Sequence, residues 1–268
     1  MNVISDTDAL AAFCDALSTA EYITVDTEFM RESTFWPILC LVQVAGPDDE
    51  AIIDPLADGM DLTPLYDLIA DENVLKVMHA PKQDIEIFHH EGGVTPKPLF
   101  DTQIAAMVAG FGDQVGYETL IAKLTKVRPD KGSRFTDWSH RPLTDAQMDY
   151  ALADVTHLRP AYEKLRRRIE ENGRLAWVEE EMVKLADPAL YEVVPEEGWR
   201  RLKPKRNQPK YLAMLQAVAA WRDREAMARD LPRNRLMRDD VLSQIAARPP
   251  EDEQSLQRMR GIPKNFAN

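Results

Sequence analysis

The stretch "EYITVDTEFM", residues 21–30, reads as a buried strand with acid set into its middle. Ile23 and Val25 are β-branched and suit a pleated, half-buried surface. Side chains alternate along a strand with period 2, so Asp26 and Glu28 share the face opposite Ile23 and Val25, about 6–7 Å apart along the chain. Two carboxylates side by side repel each other, and burying them unpaired costs several kcal/mol. A cation between them would turn that cost into binding.

Further along, "ILCLVQVAG" (38–46) and "EAIIDPL" (50–56) read as strands, and the short "PDDE" between them as a hairpin turn, so the sheet is expected to start as an antiparallel meander. "LTPLYDLIADEN" (62–73) has helical apolar spacing and "VLKVMHA" (74–80) reads as another strand. Pro81 suits a first helical position, and the helix it opens runs to the Gly92–Gly93 stop. "DTQIAAMVAG" (101–110) and "YETLIAKLT" (117–125) read as two more helices. Thr144 with Gln147 makes a capping box that opens a long helix. Strands first and helices afterwards indicate an α/β domain with a mixed sheet flanked by helices.

The chain has 268 residues, 44% of them hydrophobic and 29% charged, as in a soluble globular protein. No apolar run approaches the ~18–20 residues that span a bilayer. The start "MNVISDTDALAAF" lacks the pattern of a signal peptide, and Cys14 and Cys40 show no metal or redox spacing, so a cytoplasmic location is the expectation. The net charge of −12 argues at first against a nucleic-acid partner. It is unevenly spread, however: residues 1–190 carry −17 and residues 191–268 carry +5. Acidic clusters in the first part suit cations, and the second part suits phosphates.

Three acidic placements can converge in such a fold: Asp26 with Glu28 on one strand, Asp84 in the first turn of the helix after residues 74–80, and Tyr150 with Asp154, four apart on one helix face. Taken singly, each has an ordinary explanation. A D-x-E on a strand is usually a solvated edge, an aspartate in a first turn answers the helix dipole, and a Tyr/Asp pair is usually packing. Together they suit magnesium or manganese, hard cations that favour carboxylate oxygen.

"VDTEF", "HAPKQDIEIF" and "YALADV" resemble the three exonuclease motifs of the DEDD superfamily, in its tyrosine-bearing (DEDDy) branch. "WPILCLVQVA", "IIDPL", "LFDTQIAA" and "DWSHRPLTDAQMDYALADV" narrow the resemblance to the bacterial ribonuclease D family, over residues 3–185. The resemblance implies an RNase H-like fold and a 3′→5′ exoribonuclease that uses two divalent ions, Mg²⁺ or Mn²⁺. It also implies tRNA 3′ ends as substrate and nucleoside 5′-monophosphates as product. Carried onto this chain, Asp26 would bridge both ions, Glu28 and Asp154 would complete one site, Asp84 would serve the second, and Tyr150 would orient the attacking water. A DNA exonuclease on the same fold and an inactive RNA-binding scaffold are the alternatives, and a monomer is expected.

Phe29, beside the carboxylates, reads either as a stacking face for the terminal base or as a core residue. Lys131, Arg134, Trp138 and Arg141, in the loop before the long helix, are candidates to guide RNA. Asp101 reads as a helix N-cap. His79, His89 and His90 lack a zinc-like ligand pattern and read as structural or surface residues. The tail resembles the helicase-and-RNase-D C-terminal (HRDC) domain and stops at "PKNFAN", short of the helix with which that family continues. The expected organisation is an exonuclease domain over 1–190, a basic linker over 191–209 and a partial, all-helical HRDC domain over 210–268.

Overall fold

The computed structural model describes residues 2–130, 132–133, 136–204 and 206–262. Lys131 and Arg134 therefore lie outside the described residues. The chain divides into two compact units: one holds residues 1–30 and 39–191, the other residues 31–38 and 192–268.

The first unit is built on a six-stranded mixed sheet. Its strands are β1 (Val3–Ile4), β2 (Tyr22–Met30), β3 (Ile38–Ala45), β4 (Glu50–Ile53), β5 (Leu75–Met78) and β6 (Leu99–Asp101), in the spatial order β1-β4-β3-β2-β5-β6. β3 and β4 pair antiparallel, as the "PDDE" turn requires, while β1 pairs with β4, β5 with β2 and β6 with β5 in parallel. Parallel neighbours need crossovers, which helices supply: α1 (Thr7–Leu17), α2 (Thr63–Ala70) and α3 (Lys82–Gly92). Gly93 closes α3 at φ +67, the left-handed conformation that glycine adopts most cheaply. The proline before α3 differs slightly from expectation, since Pro81 is the N-cap and Lys82 the first helical residue.

α4 (Thr102–Val108), α5 (Tyr117–Thr125), α6 (Asp145–Glu171) and α7 (Leu175–Leu185) follow. Thr144 and Gln147 form the expected capping box at the start of α6. Asp101 is the N-cap of α4 and accepts the Gln103 N–H at 2.7 Å. β2 lies inside the sheet, and Ile23 and Val25 are fully buried in the main core. On its other face the Thr24 hydroxyl donates to the Val155 carbonyl of α6 at 2.9 Å. That bond fixes the long helix over the face that carries Asp26 and Glu28. Among the described residues no helix is long and apolar enough to cross a membrane.

The second unit is helical, with α8 (Pro209–Ala228), α9 (Arg233–Leu236), α10 (Asp239–Ala247) and α11 (Glu253–Gln257). Its core joins Tyr211, Leu215 and Ala219 of α8 to Val241, Leu242 and Ile245 of α10. Of residues 191–209, expected as a linker, all but Tyr191 belong to this unit, and Pro195–Leu202 form a 3-10 helix packed on α8. The reason is a buried acid. Asp223 has no exposed surface and accepts from Arg233 at 3.0 Å and from Arg201. Gly198 gives it room, since a Cβ there would stand 2.7 Å from Asp223 Oδ2. The arginines of this stretch include structural ones, and a count of charges does not separate them from solvated ones.

Candidate active site

Strand alternation in β2 and the Thr24 bond to α6 bring acids from two elements to one place. Ligand oxygens of Asp26, Glu28 and Asp154 all lie within 4.8 Å of one another, and all three residues are half-buried. Burial, and the charges of Asp84, Asp154 and Glu28, hold the Asp26 carboxyl well above the usual carboxylate range. The crowding suspected from the sequence is therefore present in space.

Asp84 stands apart from that trio. It is buried, and it accepts the hydroxyl of Thr27, the residue between Asp26 and Glu28 that alternation turns to the other strand face. Burial raises its pKa to about 6, the Thr27 bond opposing the rise and the charge of Asp101 adding to it. Asp84 thus reaches Asp26 through charge, while Thr27 holds it in place. The sequence reading missed Thr27, although its position inside the D-x-E is a sufficient signal.

A cavity of about 230 Å³ opens on the carboxylates and is lined by Asp26, Asp154, Tyr150, His79, Tyr117 and Glu118, among others. Tyr150 and Asp154 share this wall, as their i, i+4 spacing requires. Tyr117 was read only as a helix residue. Its hydroxyl donates to backbone carbonyls of α6, that of Asp154 at 2.8 Å, and so ties α5 to the turn that presents the acid. His79 bonds Thr102 through Nδ1 at 2.9 Å, and burial lowers its pKa to about 4, so it stays neutral and structural at neutral pH.

Two candidates for guiding RNA are corrected by their surroundings. Trp138 is 2% exposed and packs with Cys40, Leu41, Ile52 and Ala151, so its ring offers no face to a base. Arg141 donates from Nε and Nη2 to both carboxylate oxygens of Asp54, at 2.8 and 2.7 Å, and also to the carbonyls of Cys40, Trp138 and His140. With its donors committed, this arginine ties a loop to the sheet and leaves nothing for phosphates. Phe29 is half-buried and packs against the main core.

Comparison with known proteins extends these local findings to the whole chain. A family model described as 3′-5′ exonuclease matches residues 1–170, and one for the HRDC domain matches residues 212–268. The ribonuclease D of Granulibacter bethesdensis is 54% identical over 265 residues, 99% of this chain and 67% of that protein. The ribonuclease D of Acidiphilium cryptum is 55% identical over 265 residues, 99% of this chain and 68% of that protein. The crystal structure of Escherichia coli RNase D, an exoribonuclease involved in structured RNA processing, matches at a TM-score of 0.88 and 36% identity, covering 96% of this chain and 69% of that one. The chain spans about two thirds of the length of these relatives. With the mixed sheet, the acidic trio and the helical tail all in agreement, the chain belongs to the ribonuclease D family of metal-dependent 3′→5′ exoribonucleases.

Proposed function

We propose that the protein shortens RNA from the 3′ end, tRNA precursors included, releases nucleoside 5′-monophosphates, and does so with Asp26, Glu28, Asp84 and Asp154 as metal ligands. The observation that carries this reading is the trio of carboxylates within 4.8 Å, two of which, Asp26 and Asp154, line a cavity of about 230 Å³. The donor set fits a hard divalent cation, because all of it is carboxylate oxygen. The electrostatics fit too: burial first, and then the neighbouring carboxylates, raise the Asp26 pKa, and a bound cation offsets both.

When bound, two Mg²⁺ or Mn²⁺ ions would make a water more acidic and offset charge on the leaving oxygen of a phosphodiester. Asp26 would hold both ions, Glu28 and Asp154 would complete the set for one, and Asp84, held by Thr27, would serve the other. The Tyr150 hydroxyl orients the attacking water from the shared cavity wall. Phe29, half-buried beside Glu28, stacks on the terminal base, a contact that contributes ~1–3 kcal/mol in single-strand binders.

The test is incubation of the full chain with a 5′-labelled, 3′-extended tRNA precursor and with matched single-stranded RNA and DNA, in Mg²⁺ or Mn²⁺. RNA should shorten from the 3′ end in single-nucleotide steps. A ladder on DNA alone would assign the other polymer, and no ladder on either would leave a binding scaffold.

A further inference from the structure

We infer that Lys123, Lys126 and Arg128 form a phosphate-binding shelf for single-stranded RNA, next to the carboxylate cavity and contacting nucleotides upstream of the terminal one. The inference rests on the proposed RNA substrate. Its geometry begins with a second hollow of about 570 Å³, lined by Glu118, Thr119, Ala122, Lys123, Lys126, Arg128 and Pro129. Glu118, Thr119 and Pro129 line the carboxylate cavity as well, so the two spaces adjoin along α5 and the segment after it. Sites for drug-sized ligands run to about 300–1,000 Å³. A cavity of about 230 Å³ therefore takes the end of a chain, and the rest of the polymer must leave through a neighbouring space.

The charge of that space is unusual for its surroundings. The part of the chain that forms the first unit is strongly acidic, −17 over residues 1–190, and would repel a polyanion. Yet three cations lie within six residues on this one hollow, all exposed, and none of them is ion-paired among the described residues. Lys123 has only the Phe111 ring, 6.0 Å away. Cations near a helix C-terminus answer its dipole, which accounts for Lys123 and Lys126 at the end of α5. It does not account for Arg128, two residues beyond the cap. Lys126 itself stands at φ +68, where glycine would be cheaper. The shelf also supplies what Trp138 and Arg141 do not, because those two are buried or paired.

The experiment compares wild type with K123Q/K126Q/R128Q, a variant changed only at exposed positions. Binding of a fluorescent ten-nucleotide RNA is measured by anisotropy in EDTA, across a salt series, so the readout does not depend on hydrolysis. Each phosphate contact on a single strand adds roughly 0.7 to the salt slope, so three lost contacts should lower it by about 2. Between 50 and 200 mM salt, wild type should then lose about 16-fold more affinity than the variant. With metal present, KM for the same RNA should rise about tenfold or more at low salt while kcat stays within about twofold, since the shelf binds and does not react. K123R/K126R/R128K, which keeps every charge, should restore the wild-type slope. Equal slopes for wild type and the neutralised variant would overturn the shelf. So would a fall in kcat with KM unchanged, which would place these cations at the reacting nucleotide. If the wild type binds RNA with the full slope yet hydrolyses none, the shelf stands and the proposed function fails.

Discussion

Thr27→Val isolates the hydroxyl that holds Asp84 while nearly keeping the shape of the side chain. Thr27 and Asp84 are both buried, so the loss is felt without much help from water. A hydrogen bond to a charged group contributes about 1.5–3 kcal/mol and a neutral one about 0.5–1.5 kcal/mol. The variant should therefore be destabilised by about 2 kcal/mol when Asp84 is ionised and by about 1 kcal/mol when it is protonated. The difference, about 1 kcal/mol or slightly more, corresponds to an upward shift of nearly one pKa unit, from about 6 in the wild type. The sign follows. Asp84 already has a folded pKa above its unfolded value, so ionising it costs stability, and the cost is present above the folded pKa. Losing the hydroxyl enlarges that cost, so the penalty of the substitution is largest near pH 8 and shrinks as pH falls through about 6. The assay is denaturant unfolding in EDTA at pH 5 and pH 8, with Thr27→Ser as the control that retains the donor. A penalty equal at both pH values, or a serine variant as weak as valine, would refute the role given to this hydroxyl.

Asp26→Asn removes the most crowded charge, so hydrolysis should vanish while stability in EDTA at pH 7 rises, as the repulsion from Asp84, Asp154 and Glu28 is relieved; near wild-type turnover at saturating metal would rule out the bridging role. Tyr150→Phe should leave metal affinity unchanged, measured by calorimetry, and lower kcat toward the small end of the 10²–10⁴-fold range of acid–base and orienting groups; unchanged turnover would mean that the ring only packs. Arg141→Ala leaves the largely buried Asp54 without its partner, so it should cost about 2–4 kcal/mol in unfolding experiments, with KM for RNA unchanged where the protein is folded; a raised KM at unchanged stability would return Arg141 to the RNA interface.

The parts of this fold that were legible in the sequence are those governed by local periodicity. The alternation in 21–30, the capping box at Thr144, the N-cap at Asp101 and the glycine stop of α3 each depend on a few neighbouring residues, and each is found in the structure. β6 was not legible. It has three residues, follows Pro98 closely, and exists because β5 offers it an edge. The same division runs through the site. Asp26 and Glu28 are adjacent by strand geometry alone. That Asp154 joins them and Asp84 does not depends on which face each helix covers, which the Thr24 bond to Val155 and the Thr27 bond to Asp84 decide.

The misread residues share one physical cause. Arginine and tryptophan in a polar loop look like nucleic-acid contacts, but the sequence does not tell a solvated guanidinium from one that closes a fold. Arg141 closes a loop on Asp54, Arg201 and Arg233 neutralise Asp223, and Arg222 bonds Met237 and Asp239 from a fully buried position. In each case the acid partner is distant in sequence or on another element. Residues 31–38 make the same point for an apolar group. They follow β2, the strand that carries Asp26 and Glu28, yet Phe35 is buried with Ala226 and Leu236 in the second unit. Asp230 accepts the N–H groups of Phe35 and Trp36 at 3.0 and 3.1 Å, and the Arg233 guanidinium lies 4.2 Å from the Phe35 ring centroid. Deleting residues 192–268 would strip Phe35 of these partners and expose it to water, so a truncation changes more than the charge it removes. Point substitution at Lys123, Lys126 and Arg128 leaves that cluster intact, and it is the cleaner way to ask which cations this protein uses on RNA.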